Sequence, residues 1–189
     1  MPDSRVLILM RHAEAAHPGG YRDHDRPLTT HGSRDAVAAG RWIRGRVSTV
    51  DAVLCSTAAR TRQTLELTGI TTPVELVDDL YGGGIDDIVE VICRAPASAR
   101  TLLVIGHAPG IPATAYELAT TARLSSNRPG AGEPPADHGD DAAAGVEPDA
   151  LQRLRHFSAG AFAVLSTDGP WAQIGERGAE LTEVHHPED

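Results

Sequence analysis

Arg5-Val6-Leu7-Ile8-Leu9-Met10-Arg11-His12 is the stretch on which the fold turns. Its apolar run lacks the polar alternation of a half-exposed strand, which is the pattern of a parallel strand buried on both faces. The run then stops on a cation and an imidazole. Ligands gather at the carboxyl ends of the strands in open α/β sheets. Arg11 and His12 therefore stand where chemistry is expected.

Outward from this strand, residues 11–29 are polar and rich in Gly, Pro and His, which reads as a loop. Thr29 or Thr30 is placed to cap a helix running to about Arg46, with Ala36, Val37, Gly40, Ile43 and Val47 as its apolar stripe. Asp51–Cys55 reads as a second strand. Ser56 and Thr57 follow as cap residues, rather than nucleophiles, for a helix over 58–68 that Gly69 ends. Further strands are expected at Pro73–Val77, Thr101–Ile105 and Ala161–Ser166, with helices at Asp86–Arg94 and Pro109–Ala122. Asp168-Gly169 is a hairpin signal, so Trp171–Ile174 is expected to pair back antiparallel. Alternating strands and helices predict one α/β domain over residues 1–189 with a mainly parallel sheet.

Residues 125–150 break the pattern. Arg128 is set against Glu133, Asp137, Asp140, Asp141, Glu147 and Asp149, a net of −5 in a chain whose formal charge is −9. Such a segment buries too little apolar surface to offset its ordering entropy, so a flexible acidic insertion is expected there, with a lid or partner-recognition loop as the functional alternative.

The overall negative charge excludes whole-surface attraction to nucleic acid or to an anionic membrane. An anionic substrate then needs a local cationic pocket. All 17 basic residues are Arg, so a single Arg carries less information here than in a mixed chain. Aromatic residues are only 4%, which predicts an aliphatic core. Cys55 and Cys93 show no CxxC spacing and read as free thiols in a reducing compartment. No cationic leader or ~20-residue apolar span is apparent, so a cytoplasmic location is expected. His17, His24 and His31 fit no metal-ligand spacing, so neither metal nor cofactor is expected, and His185-His186 reads as a frayed tail.

Three strand ends carry the chemistry: Arg11-His12, then Ser56-Thr57-Ala58-Ala59-Arg60, then Gly106-His107. A phosphoryl group in transfer spreads negative charge over its equatorial oxygens. Arg offers a planar fork for those oxygens. A neutral imidazole can attack phosphorus and hold it covalently, and a second imidazole can donate a hydrogen bond as charge develops. The two Arg and His107 would disfavour protonation of His12. The helix following His107 adds its N-terminal dipole.

Leu7-Ile8-Leu9-Met10-Arg11-His12-Ala13-Glu14 resembles the Arg-His-Gly signature of the histidine phosphatase superfamily. Arg26-Pro27-Leu28-Thr29-Thr30-His31-Gly32, Ser56–Thr64 and Thr101–His107 resemble the family's later segments, in order and each at a predicted strand end or helix start. The short length and the Arg26–Thr29 wording are most similar to SixA-type phosphohistidine phosphatases. The resemblance implies a three-layer phosphoglycerate-mutase-like α/β fold, with helices on both faces of a mainly parallel central sheet. It implies a phosphohydrolase in which His12 becomes the covalent phosphohistidine. Arg11, Arg60 and His107 would share the catalytic set and bind the phosphoryl group, with Arg26 a further phosphate contact or a loop anchor.

Two positions depart from the family pattern. Ala13 replaces the usual Gly, and the acid that larger members use against an alkoxide leaving group has no matching motif; Asp78 and Asp79 only fall in about that region. SixA-type proteins often lack this acid, which suits phosphohistidine, since imidazole leaves more readily than an alkoxide; Asp78 and Asp79 are the candidates for it in this sequence. The resemblance to that subgroup implies a phosphorylated protein as partner, with a small phosphorylated ester as the alternative. A phosphate-binding regulator without turnover is a further reading, and the oligomeric state is left open.

Overall fold

The computed structural model describes residues 4–17, 19–126 and 148–187. Six strands form one sheet in the order β3-β2-β4-β1-β5-β6. They are β1 Arg5–Arg11, β2 Ala52–Ser56, β3 Val74–Val77, β4 Thr101–Gly106, β5 Phe162–Thr167 and β6 Glu180–His185. The pairs β3/β2, β2/β4 and β4/β1 are parallel, while β1/β5 and β5/β6 are antiparallel. The expected mainly parallel sheet is present, with an antiparallel margin.

β1 and β4 lie at its centre, and their side chains alternate between two aliphatic cores. Leu7, Leu9, Leu102 and Val104 point to one face, where helices α3 (Ile85–Cys93), α4 (Gly110–Ser126) and α6 (Ile174–Arg177) pack. Ile8, Met10, Leu103 and Ile105 point to the other, which meets Ala39 and Ile43 of α1 (Thr30–Arg46) and Leu65 of α2 (Ala59–Thr68). This is the three-layer arrangement of the phosphoglycerate-mutase-like fold. Removing this aliphatic surface from water on both faces is the main favourable contribution to stability, and it fixes the strand ends that carry the site.

Two glycines let α1 sit close enough to serve that site. A Cβ at Gly40 would meet the Thr68 backbone of α2, and one at Gly32 would meet the backbone of Glu14, two residues past His12. Thr29 is the helix cap, its side chain accepting from the Gly32 amide at 3.0 Å.

Three expectations fail. Trp171–Ile174 is not a strand: a 3-10 turn over Trp171–Gln173 leads into α6, and the later strand that pairs back on β5 is β6. The physical reason is three-residue spacing. Trp171 and Ile174 both enter the core from one side of a helical turn, and the Trp171 indole donates to the Ala99 carbonyl at 2.9 Å. His185 is no frayed tail, since it ends β6 and stacks on Phe162 with centroids 4.9 Å apart. Ser56 belongs to β2 and does not cap α2, whose first turn has no side-chain cap. Of the acidic stretch at 125–150, residues 125–126 end α4 and 148–150 open α5 (Pro148–Arg153); the rest lies outside the described residues. No helix among the described residues is long and apolar enough to cross a membrane.

Candidate active site

The carboxyl ends of β1, β2 and β4 converge. The His12 amide donates to the Gly106 carbonyl at 3.0 Å, so β1 and β4 deliver their histidines side by side. The ring centroids of His12 and His107 are 5.0 Å apart. Arg60 rises from the first turn of α2, almost wholly buried, and its Nε–H donates to His12 Nε2 at 3.3 Å. Arg11 lies beside them, its guanidinium anchored by Nη1 donating to the Phe157 carbonyl at 2.8 Å. Arg11 Nε and His107 Nδ1 are buried with no hydrogen-bond partner among the described residues. Buried polar atoms are rarely left unpaired, and at these two a bound anion would supply the missing partner.

The tautomer of His12 follows from its contacts. Its Nδ1 lies 2.8 Å from the Ala13 carbonyl, which can only accept, so the proton is on Nδ1. The Nε2 lone pair then faces Arg60. The Ala13 amide donates to Thr64 Oγ1 at 3.1 Å, which seats the residue that replaces the family's Gly. Burial, and then the charges of Arg60, Arg11 and Arg26, lower the His12 pKa from 6.5 to about 4, although the bond to Ala13 works the other way. Burial and the neighbouring His12 and Arg60 lower His107 to about 3. Both imidazoles are neutral at pH 7. One is fit for nucleophilic attack and the other for hydrogen-bond donation.

Sequence reasoning missed the rim of the site. The 3-10 turn Asp23–Asp25 lays its first residue over Arg60. The Asp23 carbonyl accepts from Arg60 Nη1 at 2.6 Å, and its carboxylate accepts from Arg60 Nη2 at 3.1 Å, from Tyr81 Oη at 2.6 Å and from Arg26 Nη1 at 2.9 Å. These donors, Tyr81 first and Arg26 next, hold the Asp23 carboxyl well below the usual range, and the same bond raises the Tyr81 phenol. Tyr81 also stands edge-on to His107 at 5.4 Å. Asp23 sits three residues before Arg26, a spacing that faces inward on a tight turn. Tyr81 had no sequence signal.

Of the remaining expected residues, Arg26 anchors the loop, donating from Nε to the Ala16 carbonyl at 2.7 Å as well as to Asp23. Asp78 accepts from the Thr57 hydroxyl at 2.7 Å, and that oxygen lies 3.0 Å from His24 Nε2. Asp79 faces Arg94 at 3.4 Å. Both acids are thus engaged with partners outside the His12–His107 pair. A cavity of about 260 Å³ runs from His107 along Gly82–Gly84 to the start of α4. A wider one of about 760 Å³ lies between Glu14, His31, His156 and Ser158.

Two imidazoles and two guanidinium groups thus meet at the carboxyl ends of neighbouring strands, an arrangement suited to holding an anion. The sequence pattern of the histidine phosphatase superfamily (branch 1) matches residues 7–81. A SixA-like structure from Nakamurella multipartitia is 50% identical, with 97% of this chain and 96% of that one covered and a TM-score of 0.83. The phosphohistidine phosphatase SixA of Escherichia coli is 30% identical over 109 residues, 54% of this chain and 67% of that protein. An uncharacterized protein of Mycobacterium tuberculosis is 40% identical over 178 residues, covering 94% of this chain and 99% of the relative. The chain belongs to the histidine phosphatase superfamily, in its SixA-like part, and is a phosphatase.

Proposed function

We propose that the chain removes phosphoryl groups from phosphohistidine on a protein, through a covalent phosphohistidine on His12. The observation that carries this reading is the His12 ring itself. Its Nδ1–H is committed to a backbone carbonyl, which leaves Nε2 unprotonated, with its lone pair turned to the Arg60 guanidinium. In the first step Nε2 attacks phosphorus and the substrate's leaving group departs with the bonding pair. In the second, water attacks the phosphorus held on His12, inorganic phosphate forms, and His12 regains its lone pair. Arg11 and Arg60 stabilise the equatorial oxygens, where preorganised charge contributes most. Arg26 acts through the loop, holding Asp23 and adding positive charge near His12.

The state of the carboxylates supports phosphohistidine over an alkyl ester. An alkoxide leaving group needs a proton from the enzyme. Asp23 is the carboxylate that reaches Arg60, and its three donors keep it ionised. Asp78 and Asp79 are held by Thr57 and Arg94. A phosphorylated imidazole can carry its own proton on the second ring nitrogen and leave neutral. The E. coli relative is a phosphohistidine phosphatase.

The test is turnover of a phosphohistidine-bearing protein and of a simple phosphate ester, with acid-labile phosphate trapped by rapid denaturing quench. Label is expected on the wild type and absent from His12→Ala, with the phosphoramidate turned over at least tenfold faster than the ester. Equal labelling of His12→Ala would remove the covalent step. Faster ester turnover would assign a small-molecule substrate instead.

A further inference from the structure

Ser56 is wholly buried at the end of β2, and its Oγ lies 2.9 Å from His107 Nε2. No other partner for that hydroxyl occurs among the described residues, and His107 Nδ1, on the other side of the ring, is buried and unpaired. Two arrangements of protons are possible across this contact. If His107 carried its proton on Nε2, it would donate to Ser56, the buried hydroxyl hydrogen would have no acceptor, and a bare Nδ1 lone pair would be left for the anion to meet. If Ser56 donates to Nε2, the hydroxyl is satisfied and the proton of His107 sits on Nδ1. Only the second arrangement leaves a donor for a phosphoryl oxygen, and it avoids an unpaired buried hydroxyl, which costs about 1–3 kcal/mol.

We propose that Ser56 is a positioning residue that fixes His107 as the Nδ1–H tautomer and so makes it a hydrogen-bond donor to the transferring phosphoryl group. This rests on the reading of the site as the place of phosphoryl transfer. The Ser56 hydroxyl meets His107 alone among the described residues. It acts through His107, whose ring orientation and proton it sets, as the partner of a catalytic imidazole does in other phosphoryl and acyl transfer sites. The first turn of α4 holds the backbone of the same residue, the Ile111 amide donating to the His107 carbonyl at 2.9 Å. Backbone and ring are thus both fixed before substrate arrives.

The proposal makes a prediction about the unaltered protein, which no folding defect can obscure. Long-range proton–nitrogen correlation on histidine-labelled wild type at pH 7 is expected to show His107 protonated at Nδ1 and bare at Nε2. The reverse tautomer overturns the proposal. Single-turnover rates supply the second arm. Ser56→Ala is expected to lower the phosphoryl-transfer rate about tenfold with KM nearly unchanged, and His107→Ala to lower it further. The double variant is expected to match His107→Ala alone, because a residue acting only through His107 has nothing left to act on. Additive losses in the double variant would mean that Ser56 works by packing, and would also overturn the proposal. Trapped label on His12 in Ser56→Ala keeps this outcome distinct from failure of the covalent mechanism.

Discussion

Arg60 and Asp23 touch at 3.1 Å, yet their side chains are 7% and 54% exposed and they belong to two differently built regions. Arg60, with Arg11, His12, Ser56 and His107, stands on strand ends and a helix start whose backbone the sheet and both cores hold in place. Asp23, with Arg26 and Tyr81, forms a rim held mainly by its own polar contacts in the open. Buried charge works in a low dielectric, where each contact with a developing anion counts. Exposed ion pairs are screened and individually contribute little. On the proposed mechanism, the inner region performs the chemistry while the rim tunes what binds and how tightly.

Substitution separates the two regions most sharply. Arg60→Ala is expected to lower kcat/KM by roughly 10²–10³-fold, the usual cost of removing one preorganised donor from a transition-state oxyanion. Arg60→Lys should restore little, because a point charge on a flexible stem cannot reproduce the planar fork. Arg26→Ala, at the rim, should cost about tenfold or less. Steady-state and single-turnover kinetics of the three variants would check the ranking. An Arg26 loss equal to that of Arg60 would dissolve the distinction between the regions.

The same contrast marks what could be read from the chain. Val6–Met10 and Thr101–Ile105 were legible as strands because burial on both faces demands unbroken apolar runs, and the strand-end rule then located Arg11, His12 and His107. Arg60 was legible as the fourth member because the run before it is also a strand. Ser56 was misread as a helix cap. Its type fits a cap, and only the distance to His107, 51 residues away, shows otherwise. Trp171 was misread because four residues cannot separate a period of two from a helical turn. The rim was illegible for a deeper reason. Asp23 and Tyr81 are 58 residues apart and meet through loop geometry that no local periodicity encodes.

Acidity offers a milder probe of the inner region. Its two histidines have lower pKa values than free imidazole, about 4 for His12 and about 3 for His107. The folded protein therefore binds fewer protons than the unfolded chain below pH 6.5. Stability from these groups is complete above that value and is lost as pH falls through about 4 and then about 3. The phosphoryl-transfer rate, which needs neutral His12, should follow the same direction. An unperturbed histidine would lose roughly tenfold at pH 5.5, whereas little change is expected here until pH approaches 4. Single-turnover rates and thermal melts across pH 4–8 would test this. A rate falling with a midpoint near 6.5 would show that His12 is not shielded as its burial implies.

The smallest expected effect lies at the contact between the regions. The Asp23 carboxylate occupies two donors of Arg60's neighbourhood, Nη2 of Arg60 itself and the Tyr81 hydroxyl, and it brings negative charge toward a site for anions. Asp23→Asn keeps the shape, removes the charge and weakens the hold on Arg60. Inorganic phosphate should then inhibit a few-fold more strongly, a change of under about 1 kcal/mol, as suits an exposed and screened group. The covalent step on His12 should hardly change, because the backbone carbonyl of Asp23 still accepts from Arg60 Nη1 at 2.6 Å and keeps the guanidinium in place. Phosphate inhibition constants at two ionic strengths would measure it, with the gain shrinking as salt rises. A large loss of rate in Asp23→Asn would move that carboxylate from the rim into the inner region and make it part of the machinery that positions Arg60.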